Sequence, residues 1–438
     1  MKAATAAMAT ADGADSDHDT TLATLANGVR VVVIRLPQAL TAAVSVFVRT
    51  GSAHERRVDN GISHVVEHMV FKGTDTRDAR QVNLDAELLG AEVNAHTDKD
   101  HSAFHMRGLP GHAGLFVRML GDIVLGATFP AEELARERDV LLQEFCEDED
   151  DPIGVAFRLF DGACYGLHAA AQPVIGTRRN IQRFSRDDLL AYVRRQYTGA
   201  NLVLGVAGNV DAAAIVAEAE AAFGALPRGE PNLVGPAVWQ GGQRSRRMAG
   251  TGQSHLVLGF PIPTLREDAP VSMLAAALFG EGMSSPLMDE LRERRGLLYY
   301  AACSADVLDV CGQFVIEAST APDKLDEALR EVLRLLAAQA ASVSAQDLER
   351  ARNQITVRRL RLLERPSRRL EQAAIELLVL GRLRPQAQWQ QRLAAVSADE
   401  LRGEFARMLA CTASVAVTGQ VGRGIVERLR AIVAGPRG

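Results

Sequence analysis

One order of elements occurs twice along this chain, on either side of a stretch rich in glycine and proline. In the first half, the apolar, β-branched runs VRVVVIRL from Val29 and TAAVSVFVRTG from Thr41 read as strands bounded by turn residues. A helix, the strand AFHMRGL and the helix HAGLFVRMLGDIVL follow. In the second half, SHLVLGFPIP takes the place of the early strand. After it come a helix from Pro270, the strand GQFVIEAST and the helix DKLDEALREVLRLLAAQ. The stretch from Pro227 to Ser254 between the halves reads as a linker. A length of 438 residues exceeds what one ordinary core organises. The expected fold class is therefore α/β (α+β), with two related sandwich domains, each a mostly antiparallel sheet packed with helices. The expected boundaries are a tail at 1–20, a first domain at 21–226, a linker at 227–254 and a second domain at 255–438.

Several function classes fall away on composition. A net charge of −5 gives no drive towards nucleic acid or an anionic membrane. The basic run VRRLRLLERPSRRL from Val357 lacks aromatics and keeps helical spacing, so it reads as a solvated helix face. EDEDDP, Glu147 to Pro152, lacks calcium-loop spacing and reads as a helix end. The five cysteines are odd in number and form no CxxC pair, which predicts free thiols. The first twenty residues are small, polar and acidic, without an apolar core or an arginine. They predict a disordered tail and neither a secretory signal nor a mitochondrial presequence. No apolar run approaches the roughly 18 residues of a membrane span. A cytoplasmic location is the resulting expectation, and the arginine- and alanine-rich composition suggests a high-GC bacterial source.

The chemistry concentrates in GISHVVEHMVFKGT, Gly61 to Thr74, in a chain with only ten histidines. With Ser63 as N-cap, His64 opens a helix, and His68 lies one turn further on the same face. Two imidazoles so placed can share one zinc ion. Glu67, three residues after His64, lies beside the metal and can take a proton from water without being a ligand. HxxEH is the inverzincin arrangement. Catalytic zinc takes three protein ligands. In the downstream helix LARERDVLLQEF, Glu137 and Glu144 are seven residues apart on one face, and spacing alone does not choose between them.

HVVEHMVFKGT, NAHTDKDHSAFH and ELARERDVLLQEFCEDEDDP together resemble the pitrilysin/insulinase family of zinc peptidases, in its half-length, mitochondrial-processing-peptidase-like branch. The likeness runs from about Asn27 to the C-terminus. It implies one Zn2+ per chain held by His64, His68 and Glu144, with Glu67 as catalytic base and Glu137 orienting the ligands. It implies that Asn94, Ala95 and Thr97 lie on an edge strand to which the substrate adds as a further strand. In the second half, GEGMSSPLMDELRERRGLLYY matches the family's arginine and tyrosine at Arg292 and Tyr299, which would contact the substrate; Tyr300 offers a second phenol. Pro286 stands where the family commonly has arginine, and Asp100 where it has glutamate.

The expected function is a zinc-dependent endopeptidase that cleaves short unfolded peptides with an activated water. A non-catalytic partner subunit of a heterodimeric peptidase is one alternative, and a leader peptidase dedicated to one modified peptide is another. Long members of the family hold four such domains around a chamber. Two domains therefore imply a homodimer, or a heterodimer with a related chain, with no nucleic-acid or membrane partner.

Overall fold

The computed structural model describes residues 7–10, 19–267 and 269–435. The tail expected at 1–20 lies largely outside the described residues. Within it, the strand β1 (Ala7–Thr10) pairs with β2 (Thr20–Thr24), so the sheet begins earlier than expected. The chain forms two compact units, each built on one mixed sheet.

In the first unit, β3 (Arg30–Arg35), β4 (Ala42–Val48), β5 (Glu92–Thr97), β6 (Ser102–Gly108) and β7 (Leu202–Gly208) join β1 and β2 in the order β1-β2-β3-β7-β4-β6-β5. Only β3 and β7 run parallel. The second unit holds β8 (Gly242–Arg247), β9 (Ser254–Pro261), β10 (Leu298–Val307), β11 (Gly312–Thr320) and β12 (Ser414–Gly419), ordered β10-β11-β9-β12-β8. There β8 and β12 form the one parallel pair. Reading β3, β7, β4, β6, β5 against β8, β12, β9, β11, β10 gives the same sheet twice. The repeated order of elements in the sequence is thus a repeated topology.

The central strands β4 and β7 are buried along their whole length, as their largely apolar runs require; the one polar residue, Ser45 of β4, bonds His105. One face of the first sheet is covered by α1 (Ile62–Met69), α2 (Ala79–Leu88) and α3 (Ala113–Leu125), and by α4 (Ala131–Asp150), α6 (Arg178–Arg183), α7 (Arg186–Gln196) and α8 (Ala212–Phe223), around Val44, Val46, Phe104 and Phe116. The opposite face is closed by the helix Pro366–Leu380, whose Leu370, Ala374 and Leu377 meet Val32, Phe47 and Val203. Gly205 admits this helix: a Cβ there would stand 2.4 Å from Leu370 Cδ1. In the second unit, α9 (Pro270–Gly280) and the helices Leu325–Ala341 and Ala398–Ala410 cover one face. The other receives α5 (Pro152–Tyr165), with Phe160 against Gly259.

The domain boundaries therefore differ from those read in the sequence. The first unit comprises the chain up to Phe145, Pro173–Val234 and Leu360–Ala387, and the second comprises Cys146–Gln172, Gly235–Arg359 and the chain from Gln388. Each unit takes a covering helix from the opposite half of the sequence. The stretch read as linker contains β8, which pairs with β12 along its length. Its sequence GQRSRR is polar because β8 is an outer strand and only partly buried.

Two glycines fix the start of α1. Gly61 has φ 99°, and an added Cβ would stand 2.7 Å from Gly176 Cα; the reciprocal Cβ on Gly176, itself at φ 79°, would stand 2.5 Å from Gly61 Cα. Both the left-handed backbone and the close approach exclude a larger residue. Gly61→Ala is expected to lower unfolding stability by about 2 kcal/mol or more, read from urea denaturation. A loss below about 0.5 kcal/mol would show that the contact relaxes freely.

Candidate metal centre

Ser63 does not cap α1, contrary to the reading of the sequence. It lies buried within the first turn, its hydroxyl 2.7 Å from the Tyr192 hydroxyl. The capping acceptor is the buried Glu55. One of its oxygens accepts the Gly61 amide at 2.7 Å and the Asn60 side-chain amide at 2.9 Å, and the other accepts the Ser63 amide at 2.8 Å. These are the amides that a helix start leaves without partners, and a carboxylate there is further favoured by the helix dipole. Burial pushes the Glu55 carboxyl above its ordinary range, against the pull of those bonds. Glu55 lies six residues before Gly61, beyond the local N-cap signature, so pattern reading passed over it.

With α1 so placed, His64 and His68 stand one turn apart with their rings edge to face, the centroids 4.6 Å from each other. α4 brings two carboxylates to them. Glu144 Oε2 lies 3.4 Å from His68 Nε2 and 3.8 Å from His64 Nε2. The three ligand atoms all fall within 4.8 Å of one another. Ligands at about 2.0–2.2 Å from a tetrahedral zinc stand roughly 3.3–3.5 Å apart, so the set fits such an ion with small adjustment.

Glu137, one face-repeat earlier on α4, is engaged elsewhere. Its Oε1 is 2.9 Å from His68 Nδ1 and its Oε2 is 2.6 Å from Lys72 Nζ. Burial works against its charge, but Lys72 and His68 outweigh that and hold the carboxyl below its ordinary range. An anionic Glu137 accepts a hydrogen bond from His68 Nδ1, which orients the ring with Nε2 towards Glu144. The open choice between Glu137 and Glu144 thus resolves geometrically into one oxygen facing the imidazole pair and one behind it. Lys72 was not singled out from the sequence; its position in HMVFKGT, four residues after His68, is the available signal.

His64 is held as a neutral imidazole: burial, aided by the nearby His68, pushes it down to about 4. Neutral imidazole is the form that binds metal. Its Nδ1 is buried without a hydrogen-bond partner. Glu67 lies on the same side of α1. Burial pushes its carboxyl up, and the Glu144 charge adds to this, while hydrogen bonds from the Thr97 side chain and backbone oppose it. Its Oε2 is buried and unpartnered. The pocket thus pairs a metal-fitting trio with one poised carboxylate (a candidate proton acceptor).

Thr97 belongs to β5, the outermost strand of its sheet, which pairs only with β6 among the described residues. Asn94 and Ala95 precede it on this edge, with the Asn94 side-chain oxygen accepting the Ala95 amide at 2.8 Å. Arg292 and Tyr299 belong to the other unit. Arg292 sits in a π-helical turn, Asp289–Arg294, where the Arg295 amide bonds the Glu290 carbonyl at 3.1 Å. Tyr299 occupies an irregularity in the β10–β11 ladder and is 61% exposed; Tyr300 is 47% exposed. Neither tyrosine is a core residue. π-turns and strand bulges are recurrent ways of aiming side chains at ligands.

Comparison with known proteins places the chain in a family. Residues 30–178 match the family described as insulinase (peptidase family M16), and residues 183–355 match the one described as the peptidase M16 inactive domain. A Rickettsia bellii protein named an uncharacterized zinc protease is 31% identical over 397 residues, spanning 90% of this chain and 96% of its own. A Bacillus subtilis protein of the same description is 29% identical over 391 residues, spanning 88% and 94%. The chain belongs to the pitrilysin/insulinase (M16) peptidase family, in its half-length form. A solved Helicobacter pylori protease shares the fold at a TM-score of 0.85 and 20% identity, covering 91% of this chain and 99% of its own. The M16_C-matched half, 183–355, contains one histidine, His255, so every histidine of the metal-fitting trio comes from the first half.

The two carboxylates of α4 separate in a titration of metal affinity. Glu144→Gln is expected to weaken zinc binding more than Glu137→Gln or Lys72→Met, which should each cost about 10- to 100-fold. Competition with a chromophoric chelator measures the order, and the reverse order would make Glu137 the ligand.

Proposed function

We propose that this protein is a zinc endopeptidase acting on short, unfolded peptides. The observation that carries the proposal is the convergence of His64, His68 and Glu144 beside the unpartnered carboxylate oxygen of Glu67. Zinc bound there would supply Lewis acidity to a scissile carbonyl and acidify water at neutral pH. Glu67 takes the proton of the attacking water and returns it to the leaving amine. Its raised pKa suits both halves of that cycle, because a weakly basic carboxylate would neither accept nor hold the proton. Glu137 holds the His68 ring in register through its bond to Nδ1, which turns Nε2 towards the metal position.

The peptide lies as an added strand along the free edge of β5, the strand that carries Asn94, Ala95 and Thr97. Recognition through main-chain bonds demands an extended chain and tolerates varied side chains, which is why the substrate class is short and unfolded. Arg292 and Tyr299 donate to the substrate backbone and to the developing oxyanion. A second copy of the chain completes the enclosure around the peptide, and sedimentation at working concentration should find a dimer; an active monomer contradicts this.

Glu67→Gln should keep its zinc and lose cleavage of an unstructured fluorogenic peptide by at least about 10²- to 10⁴-fold. Arg292→Ala and Tyr299→Phe should lower kcat/KM with zinc content unchanged. Metal-free wild-type protein, or undiminished cleavage by Glu67→Gln, would sink the proposal.

A further inference from the structure

A second group of metal-type ligands lies in the first unit, on the sheet face opposite α1. Side chains alternate along β5. Thr97 reaches Glu67 on the α1 side, whereas His96 points to the face covered by the helix Pro366–Leu380. There His96 Nε2 stands 3.3 Å from His101 Nε2 and 3.9 Å from Glu371 Oε1. The three ligand atoms lie within 4.8 Å of one another.

The remaining nitrogens of these rings are already occupied. His101 Nδ1 is 2.7 Å from Asp100 Oδ1, in a buried pair. His96 Nδ1 is 3.0 Å from His105 Nε2, and His105 Nδ1 is 2.7 Å from Ser45 Oγ. Arg368 Nη1 takes the other Glu371 oxygen at 2.9 Å, which leaves Oε1 facing the imidazoles. A carboxylate behind one histidine and a hydrogen-bonded imidazole behind the other are the outer partners that set Nε2 as the ligating atom. Two Nε2 lone pairs cannot face each other at 3.3 Å without a proton or a cation between them. Nitrogens at about 2.0–2.1 Å from a tetrahedral zinc stand roughly 3.3–3.4 Å apart, which is the separation found.

We propose that His96, His101 and Glu371 form a second divalent-metal site, suited to zinc or a neighbouring first-row ion. Two imidazoles and one carboxylate select that group of metals over calcium or magnesium. The His96 side chain is 39% exposed, which gives the ion a route from solvent. The site is a staple. It ties the edge strand β5 and the turn after it to the helix Pro366–Leu380, which arrives from the far half of the sequence. It does not depend on the HxxEH pocket holding metal.

The test is a metal count on the full chain, stripped with chelator and equilibrated with zinc alone. Wild type should take two equivalents. His96→Gln and Glu371→Gln should each take one, and Glu144→Gln should lose the other and keep this one. Cobalt substitution should give d–d absorption in Glu144→Gln that disappears when His96→Gln is added. Far-UV circular dichroism checks that the variants are folded, and the partly exposed His96 and Glu371 give two independent routes. A wild type that takes no zinc, or whose zinc count neither His96→Gln nor Glu371→Gln reduces, overturns the proposal and leaves the histidines as a hydrogen-bonded chain; a single equivalent lost in both of these variants and kept in Glu144→Gln supports this site and counts against the other.

Discussion

The buried carboxylate of Glu55 fixes where α1 begins, and the metal-fitting pocket inherits its geometry from that start. Burying a carboxylate costs several kcal/mol unless its oxygens are fully engaged. Here two backbone amides and an Asn60 side chain engage them, and a charge-assisted bond contributes about 1.5–3 kcal/mol. The balance favours burial only while Gly61 keeps its left-handed turn against Gly176, because that turn aims the amides at Glu55. Cap and glycine contact therefore form one unit. Together they fix the rotation of α1 about its axis, and a rotation of one residue would carry both histidines away from α4.

A second constraint acts across the pocket. Lys72, Glu137 and His68 form a short line of alternating charge and ring, at 2.6 Å and 2.9 Å. The lysine keeps Glu137 anionic, and the anion keeps the imidazole proton on Nδ1. Glu67 is left with one buried oxygen without a partner, which favours the arrival of a cation or a proton, while the partly exposed Glu144 keeps an oxygen towards the two imidazoles. The buried, unpartnered Glu67 oxygen is thus a local cost in stability that the fold carries beside the metal-fitting trio.

What could be read from the sequence follows the range of each physical signal. HxxEH is legible because helical periodicity is local, and i, i+4 residues share a face whatever the rest of the fold does. The central strands are legible because burial on both faces demands largely apolar runs, as in VSVFV and LVLGVAG. Glu55 was missed because it caps α1 from outside the local window. β8 was read as linker because an outer strand needs no apolar alternation. The exchanged helices were missed for a deeper reason. The apolar stripe of RRLEQAAIELLVL says that the helix covers a sheet but not which sheet, and α5 and Pro366–Leu380 each cover the sheet of the other half of the sequence.

That exchange bears on β5. An outer strand held by one neighbour is the most easily displaced element of a sheet, yet this strand must be stiff if an extended peptide is to add to it. Backbone pairing to β6 secures only one of its edges. Its two faces can be secured by side chains, and period-2 alternation sends Thr97 to Glu67 on one and His96 towards Glu371 on the other. A strand anchored through both faces keeps its free edge in one register. On this reading, the polar residues of NAHTDKDH are there because anchors on an exposed edge must bind through directed bonds, where apolar contacts would leave the register free to slip.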